Sequence, residues 1–233
     1  MAGISYVMWG AGHAFRNGRG GPTRVSAVGG TDGEAAGVLD PGFRILFVCT
    51  GNICRSAFAE LLTAHFLAER LGDGVTRFAL GSAGTQAIVG RQIHADTRRE
   101  LEPWKLDGPY ADRFVSRQLE AWLVDWADVV LTATPEHRVA VLTLAPQALP
   151  KAFALREFAR LAASIDPGDL PLDPVERAHA LVDRARRKRG TIRVKSPDDD
   201  TIVDPIGRPQ KIHHQAATQI AEAVQTIAEI VAI

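Results

Sequence analysis

Ile45-Leu46-Phe47-Val48-Cys49-Thr50-Gly51-Asn52-Ile53-Cys54-Arg55-Ser56 is the stretch from which the rest of the chain is read. Ile45 to Val48 is an unbroken apolar run, the pattern of a strand covered on both faces. Gly51 and Asn52 tolerate the left-handed or tight angles that a loop closing around an ion demands. Helix formers follow from Ala57. The string therefore reads as strand, loop and helix start, with Cys49 and Arg55 at opposite ends of the loop.

That joint has a chemical use. Successive backbone N–H groups on such a loop can point inward and make a nest for an anion. The helix start adds its own unpaired N–H groups and the positive end of its dipole. Arg55 can grip two phosphate oxygens in a fork. Cys49 lies in the same positive field, which favours the thiolate, and a thiolate beneath a bound phosphate is a nucleophile aimed at phosphorus. Ser56 can donate a hydrogen bond to that sulfur. A phosphate would then be held by Thr50, Gly51, Asn52, Ile53, Cys54, Arg55 and Ser56. Cys-x5-Arg alone is a weak signal, and a buried core cysteine is the commoner fate of a free thiol. The order strand, Gly-Asn, Arg, Ser, helix is what gives the string its weight.

Val48 to Ser56 resembles the signature of the low-molecular-weight protein-tyrosine phosphatases, a family that also holds thioredoxin-coupled arsenate reductases. Ala59-Glu60, Gly81-Ser82-Ala83-Gly84-Thr85, Ser116-Arg117-Gln118-Leu119 and Trp126 to Thr132 follow in family order. The likeness covers about residues 43–155 well and 198–231 more loosely. It implies Ser82 as a brace for Asn52, although an ordinary turn hydroxyl fits the sequence equally well. It also implies a phosphotyrosine protein as substrate, with an autophosphorylating bacterial tyrosine kinase as the suggested partner. Four positions depart from the family pattern: Ala57 for proline, Phe114 for a histidine that braces the loop in some members, Ile206 for an aromatic, and a long 156–197 segment.

Composition agrees with a globular chain that can bury one good-sized core. The 233 residues are 46% hydrophobic with a formal net charge of zero, so nothing global steers the chain to nucleic acid or to an acidic membrane surface. No apolar run is long enough to span a membrane. Two cysteines in one loop do not make a disulfide scaffold, and a reducing, cytoplasmic home is expected. The chemistry sketched above calls for no cofactor and no metal.

Strands are expected at 43–48, 76–82, 127–132 and 152–155, alternating with helices at 56–71, 92–102, 119–126 and about 135–144. That alternation predicts an α/β fold: a four-stranded parallel sheet with helices on both faces and the phosphate loop after the first strand. Ligands then bind beyond the carboxyl ends of the strands, where Cys49 falls. Residues 1–40 hold ten of the 21 glycines and read as a flexible extension to a catalytic domain at 41–233. Helices are expected near 156–164, 175–189 and 211–231. The basic run Arg184 to Arg189 reads best as a solvated helix end, neutralised by Asp198-Asp199-Asp200. His213 and His214 read as surface residues, with no converging metal ligands.

Breaking an aryl phosphate through a cysteine needs a proton for the departing oxygen, because a phenol has a pKa of about 10. Asp204 is the candidate acid. Asp-Pro also occurs at 40–41, 166–167 and 173–174, but Asp204-Pro205 alone stands just before the final helix, where the resemblance has its acid loop. Asp198, Asp199 and Asp200 are the fallback acids. Two rival readings are arsenate reduction and a phosphotyrosine or oxyanion reader that does not turn over. The first would need an external thiol, since no cysteine follows Cys54. Cys54 reads either as a redox partner of Cys49 or as packing.

Overall fold

The computed structural model describes residues 41–192 and 196–233; the Gly-rich extension at 1–40 lies outside them. In chain order come β1 (Phe43–Cys49), α1 (Arg55–Leu71), β2 (Phe78–Gly84), α2 (Ala95–Arg99), α3 (Pro109–Asp112), α4 (Ala121–Trp126), β3 (Val129–Thr132), α5 (Pro135–Leu144), β4 (Ala152–Ala154), α6 (Leu155–Ala163), α7 (Pro174–Lys188) and α8 (Gln210–Val231). The strands form one sheet in the order β2-β1-β3-β4, with every pairing parallel.

The apolar run of β1 works because both of its faces are covered. Phe43, Ile45, Phe47 and Cys49 point into a core shared with α1, α6, α7 and α8. Leu46 and Val48 point the other way, into a smaller core with Leu123 and Val124 of α4 and Val141 of α5. The period-two alternation of a strand thus sends alternate residues into two layers. α8 supplies the expected stripe of Ile220, Val224, Ile227 and Val231, all buried.

Several boundaries differ from expectation for identifiable reasons. The second strand starts at Phe78 rather than Thr76, because Gly72–Arg77 winds into a 3-10 turn in which the Thr76 hydroxyl donates to the Asp73 carbonyl at 2.8 Å. The helix expected at 92–102 is broken. His94 caps α2 by accepting from the Asp96 N–H, Glu102–Trp104 forms a separate 3-10 turn, and Lys105 ends it with a left-handed φ of 58°.

The long 156–197 segment does not cover the carboxyl end of the sheet through α7. At the amino end, Val175 packs on Gly42 and His179 meets the Gly42 carbonyl at 3.0 Å. The basic helix end is paired, though not by the aspartates expected. Arg184 binds Asp169, Arg186 and Arg187 bind Asp183, and Arg189 binds Glu157 while lying 4.0 Å over the Phe153 ring. Asp200 instead pairs with Arg160 of α6.

Candidate active site

The loop between β1 and α1 is shaped by one left-handed residue, Asn52, with φ 54°. Asparagine takes that conformation more readily than most residues, and here its side chain is fully buried and bonded three times. Its Nδ2 donates to Ser56 Oγ at 2.9 Å and to Ser82 Oγ at 2.7 Å, and its Oδ1 accepts from the Arg117 N–H at 2.8 Å. Ser82 in turn donates to Glu60 Oε2 at 2.5 Å. Glu60 is buried, and burial raises its carboxyl above the ordinary range against the pull of Arg117. The brace implied for Ser82 is therefore present. Phe114 takes no part in it: its ring is in the core, and the backbone of Arg117 serves Asn52 instead.

Because Ser56 Oγ accepts from Asn52, its own hydrogen is free for the sulfur of Cys49, 3.0 Å away. Among the described residues, the N–H groups of Gly51, Asn52, Ile53 and Cys54 donate to no backbone carbonyl. They line the loop as unspent donors, the arrangement an anion nest requires. Gly84 lets β2 pass against this loop; a Cβ there would collide with the Thr50 carbonyl.

Arg55 opens α1 and is only 5% exposed. Its Nη2 donates to Asp204 Oδ2 at 2.8 Å, its Nη1 to the Ile202 carbonyl at 3.3 Å, and its Nε has no hydrogen-bond partner among the described residues. Asp204 is carried by a loop tied down on both sides. The Ile202 N–H donates to the Ala133 carbonyl at the end of β3 (2.9 Å), and the Val203 N–H donates to Gln219 of α8 (3.0 Å). Asp204 Oδ1 accepts from the Ile206 N–H, and Gly207 turns the chain with φ 67°. The structure thus brings Cys49, Arg55, Ser56, Ser82 and Asp204 to one end of the sheet from three separate segments. Asp200, paired with Arg160, is withdrawn as an alternative acid.

Sequence reasoning missed His137. It sits in the first turn of α5, where Thr134 caps the helix. Its Nε2 meets Thr50 Oγ1 at 2.8 Å and its Nδ1 meets Thr134 Oγ1 at 3.0 Å. Burial first, then the Arg55 charge, lowers its pKa to about 4, so the ring is neutral. The two loop cysteines also part ways. Both are free and buried, but Cys54 faces Thr97, and burial pushes its thiol up to about 12. His213 is buried too, contrary to the surface reading; His214 is exposed and pairs with Glu100.

The sequence profile of the family described as low molecular weight phosphotyrosine protein phosphatase matches residues 44–188. The chain belongs to that family. Its members hydrolyse phosphate through a phosphocysteine, and the chain is accordingly a phosphoric monoester hydrolase of the protein-tyrosine-phosphatase class. The phosphatase is 26% identical over 187 residues to a protein-arginine-phosphatase of Geobacillus stearothermophilus, covering 80% of this chain and 95% of that one. It is 27% identical over 145 residues to the low molecular weight protein-tyrosine-phosphatase Wzb of Salmonella typhi, covering 62% and 90%. Among solved structures it resembles the YwlE arginine phosphatase from Geobacillus stearothermophilus, with a TM-score of 0.56 at 24% identity over 80% of this chain and 91% of that one. It also resembles the tyrosine phosphatase Wzb from Escherichia coli K30 in complex with sulphate, at 0.54 and 19% over 80% and 96%. These two likenesses bear on the fold.

Proposed function

We propose that Cys49 is the nucleophile, Arg55 and the loop amides the phosphate clamp, and Asp204 the general acid and base for phosphotyrosine on a protein. The observation that carries this reading is the convergence on one loop of a sulfur hydrogen-bonded by Ser56 and a guanidinium 2.8 Å from a loop carboxylate. In the first step the Cys49 sulfur forms a bond to phosphorus as the bond to the phenolic oxygen breaks. Asp204 gives that oxygen its proton. Arg55 and the unspent amides hold the equatorial oxygens throughout. In the second step water attacks the phosphocysteine, Asp204 takes the water's proton, and the thiolate leaves toward the Ser56 hydroxyl. The catalytic unit is proposed to span 41–233, with 156–197 as an integral helical part.

The choice of an aryl substrate rests on the residues beside the loop. The Ile88 N–H donates to the Gly51 carbonyl at 3.2 Å, so Ile88 and Val89 stand beside the phosphate loop, and both are half-exposed or more. Ile206, also half-exposed, follows the acid. An apolar rim suits a phenyl ring. The cationic side chain of a phosphoarginine would call for acceptors there. As partner we propose a phosphotyrosine-bearing protein, with an autophosphorylating bacterial tyrosine kinase as the first to assay. Among the described residues no helix is long and apolar enough to cross a membrane. We place the reaction in the cytoplasm, where reducing conditions keep Cys49 a thiol.

The test is metal-free hydrolysis of matched phosphotyrosine and phosphoarginine peptides. Faster release from phosphotyrosine, by about tenfold or more in kcat/KM, is the expected result. A preference for phosphoarginine would overturn the substrate assignment and leave the Cys49 chemistry standing.

A further inference from the structure

We propose that Cys54, His94 and His213 form a binding site for a thiolate- and imidazole-seeking divalent cation of the zinc class. One ligand atom from each of these three side chains lies within 4.8 Å of the other two. His213 is 2% exposed, and among the described residues its buried Nε2 has no hydrogen-bond partner, the condition of a donor atom held for something else. Its Nδ1 meets Thr97 Oγ1 at 2.9 Å. If the threonine oxygen accepts there, the imidazole proton is fixed on Nδ1 and the Nε2 lone pair faces the cluster, the outer-shell arrangement typical of a ligating histidine. The His94 ring lies alongside, with centroids 5.0 Å apart and planes 19° from parallel.

A carboxylate stands beside the two histidines, outside the three-residue cluster and paired with Arg99 through its other oxygen. Asp96 Oδ2 stands 3.9 Å from His213 Nε2 and 4.0 Å from His94 Nδ1. The thiolate and two imidazoles of the cluster make a donor set that suits zinc better than calcium or magnesium. In a tetrahedral zinc site metal–ligand bonds of about 2.0–2.3 Å put the ligand atoms roughly 3.3–3.8 Å apart. The present cluster therefore contracts by about an ångström on loading. His94 supplies that movement, since it is 34% exposed while the other two residues are buried. On binding, the metal–sulfur bond replaces the S–H bond of Cys54, the proton leaves to solvent, and no oxidation state changes.

The location gives the site a consequence. Cys54 immediately precedes Arg55, His94 donates its N–H to the Ile53 carbonyl at 2.8 Å, and His213 lies in the first turn of α8, beyond the Asp204 loop. A bound cation fastens the phosphate loop, α2 and α8 to one another. The Cys49 sulfur is hydrogen-bonded to Ser56 and is not among the clustered atoms. This inference therefore does not rest on the phosphatase chemistry.

The test is titration of the full chain with Co2+ as a spectroscopic probe and with Zn2+ in competition with a chromophoric chelator. Wild type, Cys49→Ser, Cys54→Ser and His94→Ala are compared, with thermal melting as a second readout. We expect a thiolate-to-cobalt charge-transfer band with tetrahedral ligand-field absorption in wild type and Cys49→Ser. The charge-transfer band should be lost in Cys54→Ser. Zn2+ binding should weaken by more than about tenfold in His94→Ala, the change at the partly exposed member of the cluster. Zn2+ should raise the melting midpoint of wild type and not of His94→Ala. The proposal is overturned by no charge-transfer band in wild type, by a band that disappears in Cys49→Ser rather than Cys54→Ser, or by unchanged Zn2+ binding in His94→Ala.

Discussion

The two ends of the sheet hold polar groups in opposite ways. At the carboxyl end Asn52, Ser56, Ser82, Glu60 and Arg55 are all nearly or wholly buried and bonded to one another or to the loops around them. At the amino end the charges lie in the open: Arg77 meets Asp173, Arg184 meets Asp169, and Arg186 and Arg187 meet Asp183, each partner substantially exposed. Buried groups lose their full desolvation cost when a partner is removed, whereas exposed pairs are screened and replaced by water. The carboxyl end is therefore a preorganised, brittle network that fixes the loop from Cys49 to Ser56. The amino end is a tolerant surface that fixes only where α7 docks.

The sharpest way to break this contrast is Asp204→Asn, which leaves the fold alone but removes the transferable proton. It should lower kcat on aryl phosphates by about 10²–10⁴-fold, with less loss for leaving groups of lower pKa. Equal loss across leaving groups would deny Asp204 the role of acid. Next comes Asn52→Ala, which strips one residue from three hydrogen bonds and leaves buried Ser56, Ser82 and Arg117 groups short of partners. Chemical denaturation should show a loss of about 1–3 kcal/mol, accompanied by a fall in kcat. A stable, fully active Asn52→Ala variant would mean that the network is not what holds the loop.

Acid titration probes the same end more gently. His137 is held neutral with its pKa lowered from 6.5 to about 4, so the unfolded chain binds its proton more readily than the folded one. The contribution is present above pH 6.5 and is lost as pH falls toward 4. Melting curves of His137→Asn should therefore decline less than wild type across that window. Parallel curves would remove His137 from the account. Smallest is Asp173→Ala at the amino end, which removes both the α7 cap and the partner of Arg77. The melting midpoint should drop slightly while kcat/KM stays at the wild-type value. A clear fall in kcat/KM would show that the two ends are coupled after all.

What was legible in the sequence follows the same division. The Cys49-to-Ser56 loop could be read because its chemistry is local: strand, turn, clamp and helix start succeed one another within twelve residues. The parallel sheet followed from the alternation of apolar runs with helical ones, and Asp204 was singled out by its place before α8, where the resemblance has its acid loop. Long-range partnerships could not be read. Thr50 and His137 are 87 residues apart, and the Cys54, His94 and His213 side chains come from three segments that only folding brings together. Glu60 stood out only as part of the Ala59-Glu60 family match, with no partner named, until β2 placed Ser82 against it. The close approach of Val175 in α7 to the bare backbone of Gly42 is likewise something no local pattern records.

The most direct test of the central claim is rapid-quench trapping of the enzyme during turnover of an aryl phosphate, followed by peptide mapping of the bound phosphate. We expect phosphate on the peptide containing Cys49, a larger steady-state fraction of it when hydrolysis of the phosphoenzyme is slowed, and loss of turnover in Cys49→Ser. Phosphate on any other residue, or turnover that survives in purified Cys49→Ser, would contradict the claim.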